Sequence, residues 1–251
     1  QWGNPLVYYE TLVYFLSKSK GNRFPKVRIS AINSYNIPTY SNQDVPEVLV
    51  CSFGDSNIPN LEKYDAMIVM GGPMDTWQEK KFPWLKTEKE NIHEFVSIKK
   101  KPYLGLCLGA QLLSEAIGGK VRKMKTPEIG VLNVSISDNK SIFKDLDKNL
   151  KALQWHSYEV CDLPSSAHIL ATSPACEVQA FSSERAFGLQ FHVEQTNETV
   201  PQWACVPEYK SALENTLGLN ALKKFKDDVE KNLNIFNSSA KTIYENFKKI
   251  I

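Results

Sequence analysis

The feature that most constrains this chain is Gly105-Leu106-Cys107-Leu108-Gly109, set between an apolar run and a helical pattern. Residues 102–106 read as a buried strand, and 108–117 as a helix stopped by Gly118-Gly119. The flanking glycines let the chain make a sharp strand-to-helix turn that side chains would crowd. This is the nucleophile-elbow pattern with cysteine in the nucleophile's place. Such a turn pushes the sulfur into a cleft at the strand's C-terminal end. There the helix N-terminus favours thiolate, the nucleophilic form. A buried, inert cysteine in a Gly-rich turn is the competing reading.

The elbow lies within an alternation of strand and helix patterns. Residues 66–70 form a short continuous apolar run ending at Gly71-Gly72-Pro73, the mark of a parallel strand entering a turn. Leu85, Ile92, Phe95 and Val96 fall at helical spacing within 83–100. Further strands are expected near 27–32, 47–51, 130–136, 168–172, 176–181 and 186–191. The alternation predicts an α/β fold with an open, mostly parallel sheet and helices on both faces. Near the C-terminus, Leu222, Phe225, Val229, Leu233 and Phe236, then Ile243, Phe247 and Ile250, make an amphipathic helical face with lysines opposite. That face either packs on the domain or docks a partner.

Composition narrows the function classes. In 251 residues, 30 Lys+Arg against 28 Asp+Glu leave a net charge of +2, too balanced to advertise nucleic acid or a membrane surface as partner. The only arginines are Arg23, Arg28, Arg122 and Arg185, which argues against a surface of bidentate phosphate forks. No run approaches the roughly 18 apolar residues of a membrane span. The apolar stretch 6–16 has no basic segment before it and no cleavage site after it, so it reads poorly as a signal peptide. The chain begins at Gln1, which leaves a removed upstream segment open. Its five cysteines are odd in number, widely spaced and free of CxxC pairs, so neither a zinc site nor a disulfide framework is indicated. A reducing, cytoplasmic location is the expectation.

A thiolate nucleophile needs a base, and the base needs an orienting group. Among the four histidines, His93 lies in a Lys/Glu-rich helix and reads as a surface residue, while His168 opens an apolar strand. His156, in Gln154-Trp155-His156-Ser157, is harder to dismiss. His192 ends an apolar strand, with Glu194 two residues on. Residues i and i+2 of an extended chain share a side, so Glu194 can hold the His192 ring in the manner of a triad. Acyl transfer also needs backbone N–H donors at the developing oxyanion. Leu108, after the nucleophile, supplies one. The Gly71-Gly72 turn can supply another, although alone it reads equally well as a plain turn.

Three segments, Met70-Gly71-Gly72-Pro73-Met74, Gly105-Leu-Cys-Leu-Gly-Ala-Gln111 and Gln190-Phe-His-Val-Glu194, resemble the class I (triad) glutamine amidotransferases. The subgroup resembled is the stand-alone type similar to the amidotransferase domain of GMP synthase. Glu128-Ile129-Gly130, Gln154-Trp-His-Ser-Tyr-Glu-Val160 and Pro207-Glu-Tyr-Lys210 fit it too. The likeness runs from Leu61 to Lys210 and implies a catalytic domain over 47–210. It leaves 1–46 poorly matched and 211–251 as an amphipathic helical extension.

The resemblance implies a flavodoxin-like sheet and a Cys107–His192–Glu194 triad. The Gly72 and Leu108 N–H groups form its oxyanion hole. Gln111, with the Ser157-Tyr158 backbone, holds the substrate. Cys107 attacks the carboxamide of glutamine to give a γ-glutamyl thioester, which water hydrolyses to glutamate; ammonia is the other product. No metal or organic cofactor is implied. The chain has no S-G-G-x-D-S nucleotide loop, so an enzyme using the ammonia would be a synthetase on another polypeptide. A γ-glutamyl peptide or amide hydrolase would use the same triad. A non-catalytic regulatory or binding module on the same scaffold is the reading of another class, against which the intact triad stands. One departure is Val193, where the family commonly has proline.

Overall fold

The computed structural model describes residues 60–251, together with the backbone of two strands nearer the N-terminus, Leu12–Leu16 (β1) and Val48–Ser52 (β2). The strand expected at 27–32 lies outside the described residues. The chain continues through β3 (Ala66–Val69), α1 (Trp84–His93), β4 (Tyr103–Leu106), α2 (Leu108–Ala116), β5 (Lys120–Ile136) and β6 (Asn149–Cys161). There follow β7 (Ala167–Thr172), β8 (Ala180–Ser183), β9 (Ala186–Leu189), α3 (Thr199–Trp203), α4 (Pro207–Leu217) and α5 (Ala221–Lys248). The described strands form one sheet in the order β2-β1-β3-β4-β9-β8-β7-β5-β6.

An α/β sheet covered on both faces is what the alternation of patterns predicts, and it is present. The expectation that the sheet is mostly parallel needs correction. Only β3–β4 and β4–β9 pair in parallel, and every other described pair is antiparallel. The reason lies in the connections. A parallel neighbour needs a crossover, which α1 provides between β3 and β4, whereas a short turn returns the chain antiparallel. Glu184 and Arg185 alone separate β8 from β9. The continuous apolar runs mark the central strands correctly, since β3, β4 and β9 are buried at every position. They say nothing about the hairpins outside. The strand expected at 130–136 is the second half of the long β5, and the one at 176–181 begins only at Ala180. β6 escapes the sequence pattern altogether, because its central residues 152–156 are all buried and show no alternation.

Three apolar clusters pack around this sheet. On one face, α1 and α2 cover Met67, Val69, Tyr103 and Phe181. On the other, Ala240, Ile243, Tyr244 and Phe247 of α5 cover Ile68, Leu104, Phe187 and Phe191. The first half of α5 joins α3 and α4 against Ile129, Leu153 and Trp155 of the β5–β6 hairpin. At about 1.5–3 kcal/mol for each buried large apolar side chain, Phe225, Phe236, Ile243 and Phe247 hold this helix on the domain. Helix propensity, a few tenths of a kcal/mol per residue, is minor beside that. Among the described residues, no helix is long and apolar enough to cross a membrane.

Candidate active site

The elbow forms as its glycines require. A Cβ on Gly105 would lie 2.5 Å from the Gly109 backbone, and one on Gly109 would lie 2.3 Å from the Val69 carbonyl oxygen. Neither fits, so α2 starts pressed directly on β3 and β4. The Tyr103 hydroxyl donates to the Gly109 carbonyl at 2.8 Å, and the Cys107 N–H donates to Leu189 O at 2.7 Å. Between these ties Cys107 takes φ 53° and ψ −106°, a strained conformation that a well-determined turn can sustain.

His192 lies beside the sulfur. A Cβ on Gly71 would stand 3.3 Å from both Cys107 Cβ and His192 Cε1, so Gly71 keeps the space next to both open. His192 exchanges both backbone hydrogen bonds with Leu153 of β6, each 2.9 Å long. The ring donates from Nδ1 to Glu194 Oε1 at 2.5 Å, and Glu194 Oε2 accepts the Val193 N–H at 2.9 Å. Both side chains are buried. Burial alone would lower the His192 pKa. The Glu194 charge, hydrogen bonds to Cys107 and Glu194, and the Cys107 charge outweigh it and push the value up to about 10. The valine at 193 leaves this geometry intact.

Gly72, Cys107, Leu108, Gln111, Ser157 and Tyr158 line a single cleft of about 200 Å³. That is below the usual range of drug-sized pockets and suits an amino-acid-sized substrate. Leu108 opens α2, where first-turn N–H groups are not consumed by the helix ladder. All eight residues expected from the sequence thus converge, six on the cleft wall and His192 and Glu194 behind the sulfur.

Other residues complete the site and carry no local signature. Asp75 lines the cleft, and burial holds its carboxyl above the usual range. Its backbone N–H donates to Gln78 Oε1, but its carboxylate makes no hydrogen bond or ion pair among the described residues. Trp203 sets its ring edge-on to His192, with centroids 4.8 Å apart. Behind it, Trp155, Tyr209 and Phe225 form an aromatic wall with centroid separations of 4.8–5.7 Å. Burial, then the Cys107 and Glu208 charges, raise the Tyr209 hydroxyl well above its ordinary range.

His156 is accounted for by a buried partner. It stands opposite Glu128 in the β5–β6 register, with Nε2 3.3 Å from Glu128 Oε2. Glu128 also accepts from Ser173 Oγ at 2.6 Å and Gln179 Nε2 at 2.5 Å. His93 is exposed, with Nδ1 2.8 Å from the Ala116 carbonyl, and His168 is exposed on β7. Cys161, Cys176 and Cys205 are free thiols like Cys107.

Known proteins share this arrangement of chain. The family model described as glutamine amidotransferase class-I matches residues 35–202. The glutamine-hydrolysing subunit of GMP synthase from Sulfolobus acidocaldarius is 35% identical over 143 residues, covering 56% of this chain and 72% of that one. Gamma-glutamyl peptidase 3 of Arabidopsis thaliana is 32% identical over 163 residues, covering 62% of this chain and 64% of that one. The crystal structure of a glutamine amidotransferase from Thermotoga maritima superimposes with a TM-score of 0.69 at 30% identity, covering 78% of this chain and 83% of that one. With its elbow, cleft and sheet in place, the chain belongs to the class I glutamine amidotransferase family.

Proposed function

We propose that the chain hydrolyses the side-chain amide of glutamine to glutamate and ammonia, with Cys107 as nucleophile, His192 as acid and base, and Glu194 orienting His192. The observation that carries this reading is the strained Cys107 at the head of α2, facing a buried His192–Glu194 pair beside an amino-acid-sized cleft.

The electrostatics give the order of proton movements. With the raised His192 pKa, the ring holds a proton opposite the Cys107 thiolate. The thiolate adds to the γ-carboxamide carbon, and the carbonyl oxygen becomes an oxyanion aimed at the Leu108 and Gly72 N–H groups. His192 gives its proton to the departing nitrogen as the C–N bond breaks, leaving ammonia and a thioester. Acylation removes the sulfur's charge, which was among the causes holding the His192 proton. The neutral ring can then take a proton from water as it attacks the thioester. Glutamate leaves and the thiolate is restored. Asp75, an unpaired carboxylate in the cleft, is the natural partner for the substrate's α-ammonium group.

The relatives named as GMP synthase subunits support a synthetase on another chain as consumer of the ammonia. The γ-glutamyl peptidase relative supports a second reading, in which the same thioester forms from a γ-glutamyl peptide. Ammonia and glutamate release from glutamine, measured beside Cys107→Ser, tests the first. Equal release by both proteins would refute it. Faster turnover of γ-glutamyl dipeptides than of glutamine would favour the second.

A further inference from the structure

The Cys107 sulfur has a neighbour besides His192. Gln190 lies two residues before His192 and is 1% exposed, with its Nε2 3.6 Å from Cys107 Sγ. Its Oε1 accepts from Gln111 Nε2 at 3.1 Å, and that same nitrogen donates to the Tyr158 carbonyl at 3.3 Å. A backbone carbonyl can only accept, so Tyr158 O fixes which end of the Gln111 amide faces it. Gln111 then offers its second N–H to Gln190, which must answer with oxygen. The remaining end of the Gln190 amide, a donor, is left facing the sulfur.

The anchor of this relay is itself held. His156 Nδ1 lies 2.9 Å from the same Tyr158 carbonyl and must donate to it. Gln179 turns its amide nitrogen to the Glu128 carboxylate, so its oxygen accepts from Gln154 Nε2 at 2.9 Å. That turns Gln154 Oε1 toward His156 Nε2, 3.0 Å away. The ring thus meets acceptors at both nitrogens and donates from both, opposite Glu128. Buried polar networks of this kind fix one arrangement when every member is satisfied.

We propose that Gln190 is a catalytic residue whose side-chain N–H donates to the Cys107 sulfur, oriented from the Tyr158 carbonyl through Gln111. The proposal rests on Cys107 being the nucleophile. The hydrogen bond stabilises the thiolate before attack and makes it a better leaving group when the thioester is cleaved. The titratable groups facing the sulfur are His192, with Glu194 behind it, and Tyr209. Gln190 acts on the sulfur beside them without titrating.

The test is the pH profile of Cys107 alkylation by iodoacetamide, read on the Cys107 peptide by mass spectrometry in the full chain. Gln190→Met, which removes the donor, is expected to slow alkylation about tenfold at pH 7 and move the profile to higher pH. Gln190→Glu, which adds a negative charge, moves it further in the same direction. A wild-type profile in either folded variant overturns the proposal. If neither variant folds, Gln111→Leu keeps Gln190 but removes its orienting donor. It is expected to give a smaller shift of the same sign, and a wild-type profile there overturns the relay. Alkylation needs no substrate. A shifted profile in a chain whose wild type leaves glutamine untouched would sink the glutaminase reading and leave the role of Gln190 standing.

Discussion

On one side of the cleft, five consecutive residues place the sulfur. Gly105 and Gly109 fix the turn, and Leu108 offers the oxyanion donor. On the other side, nothing that holds His192 lies close in sequence except Glu194. Leu153 pins its backbone from β6, Trp203 braces the ring from α3, and Trp155, Tyr209 and Phe225 back that tryptophan from β6, α4 and α5. The first side is set by local sterics and the second by long-range packing. Damage should therefore look different: all-or-none at the elbow, graded at the wall.

The sharpest division is expected from the nucleophile. Cys107→Ser should lower glutamine turnover by about 10³-fold or more with little change in melting temperature, because triad members act as a unit. Gly109→Ala comes next. Its methyl group meets the Val69 carbonyl, so α2 must lift, and a loss of about 3 kcal/mol is expected in denaturant titrations. A melt like the wild type's would show that the elbow is softer than its contacts imply. On the wall, Trp203→Ala should keep the protein folded while lowering kcat about tenfold, of the order of one aromatic contact. An unchanged kcat would break the comparison on that side.

Smaller effects probe single charges. Asp75→Asn should raise KM for glutamine several-fold with kcat little changed, and leave a substrate analogue without the α-amino group unaffected. Glu194→Gln tests the sign of the His192 shift. A folded pKa raised from 6.5 to about 10 adds stability that is complete below pH 6.5 and is lost as pH rises through about 10. The melting-temperature gap between wild type and Glu194→Gln should therefore narrow from pH 6.5 toward 10. A gap that widens would reverse the assignment.

The same division explains what was legible in the sequence. The Gly105–Gly109 turn, the run before Gly71-Gly72 and the His192–Glu194 spacing are each contained within a few residues, so they could be read directly. Gln190 stands in plain view in a recognised segment, yet its contact with the sulfur depends on Gln111 and Tyr158, which only the fold brings near. Trp203 and Tyr209 reach His192 through helices whose faces show nothing of their target. The parallel core was readable because central strands are apolar throughout. Its antiparallel flanks were not, since burial fixes a strand's depth and leaves its direction to the turns.

The long helix α5 has a consequence that reaches the chemistry. Its first half supports the aromatic wall and its second half grips the back of the sheet. A ligand that tightens Tyr209 and Trp203 thereby draws part of its affinity from a helix outside the cleft. Coupling of this kind is reciprocal: whatever clamps the helix strengthens that ligand's binding by the factor with which the ligand strengthens the clamp. The outer turns of α5 are, in this sense, a handle on the active site.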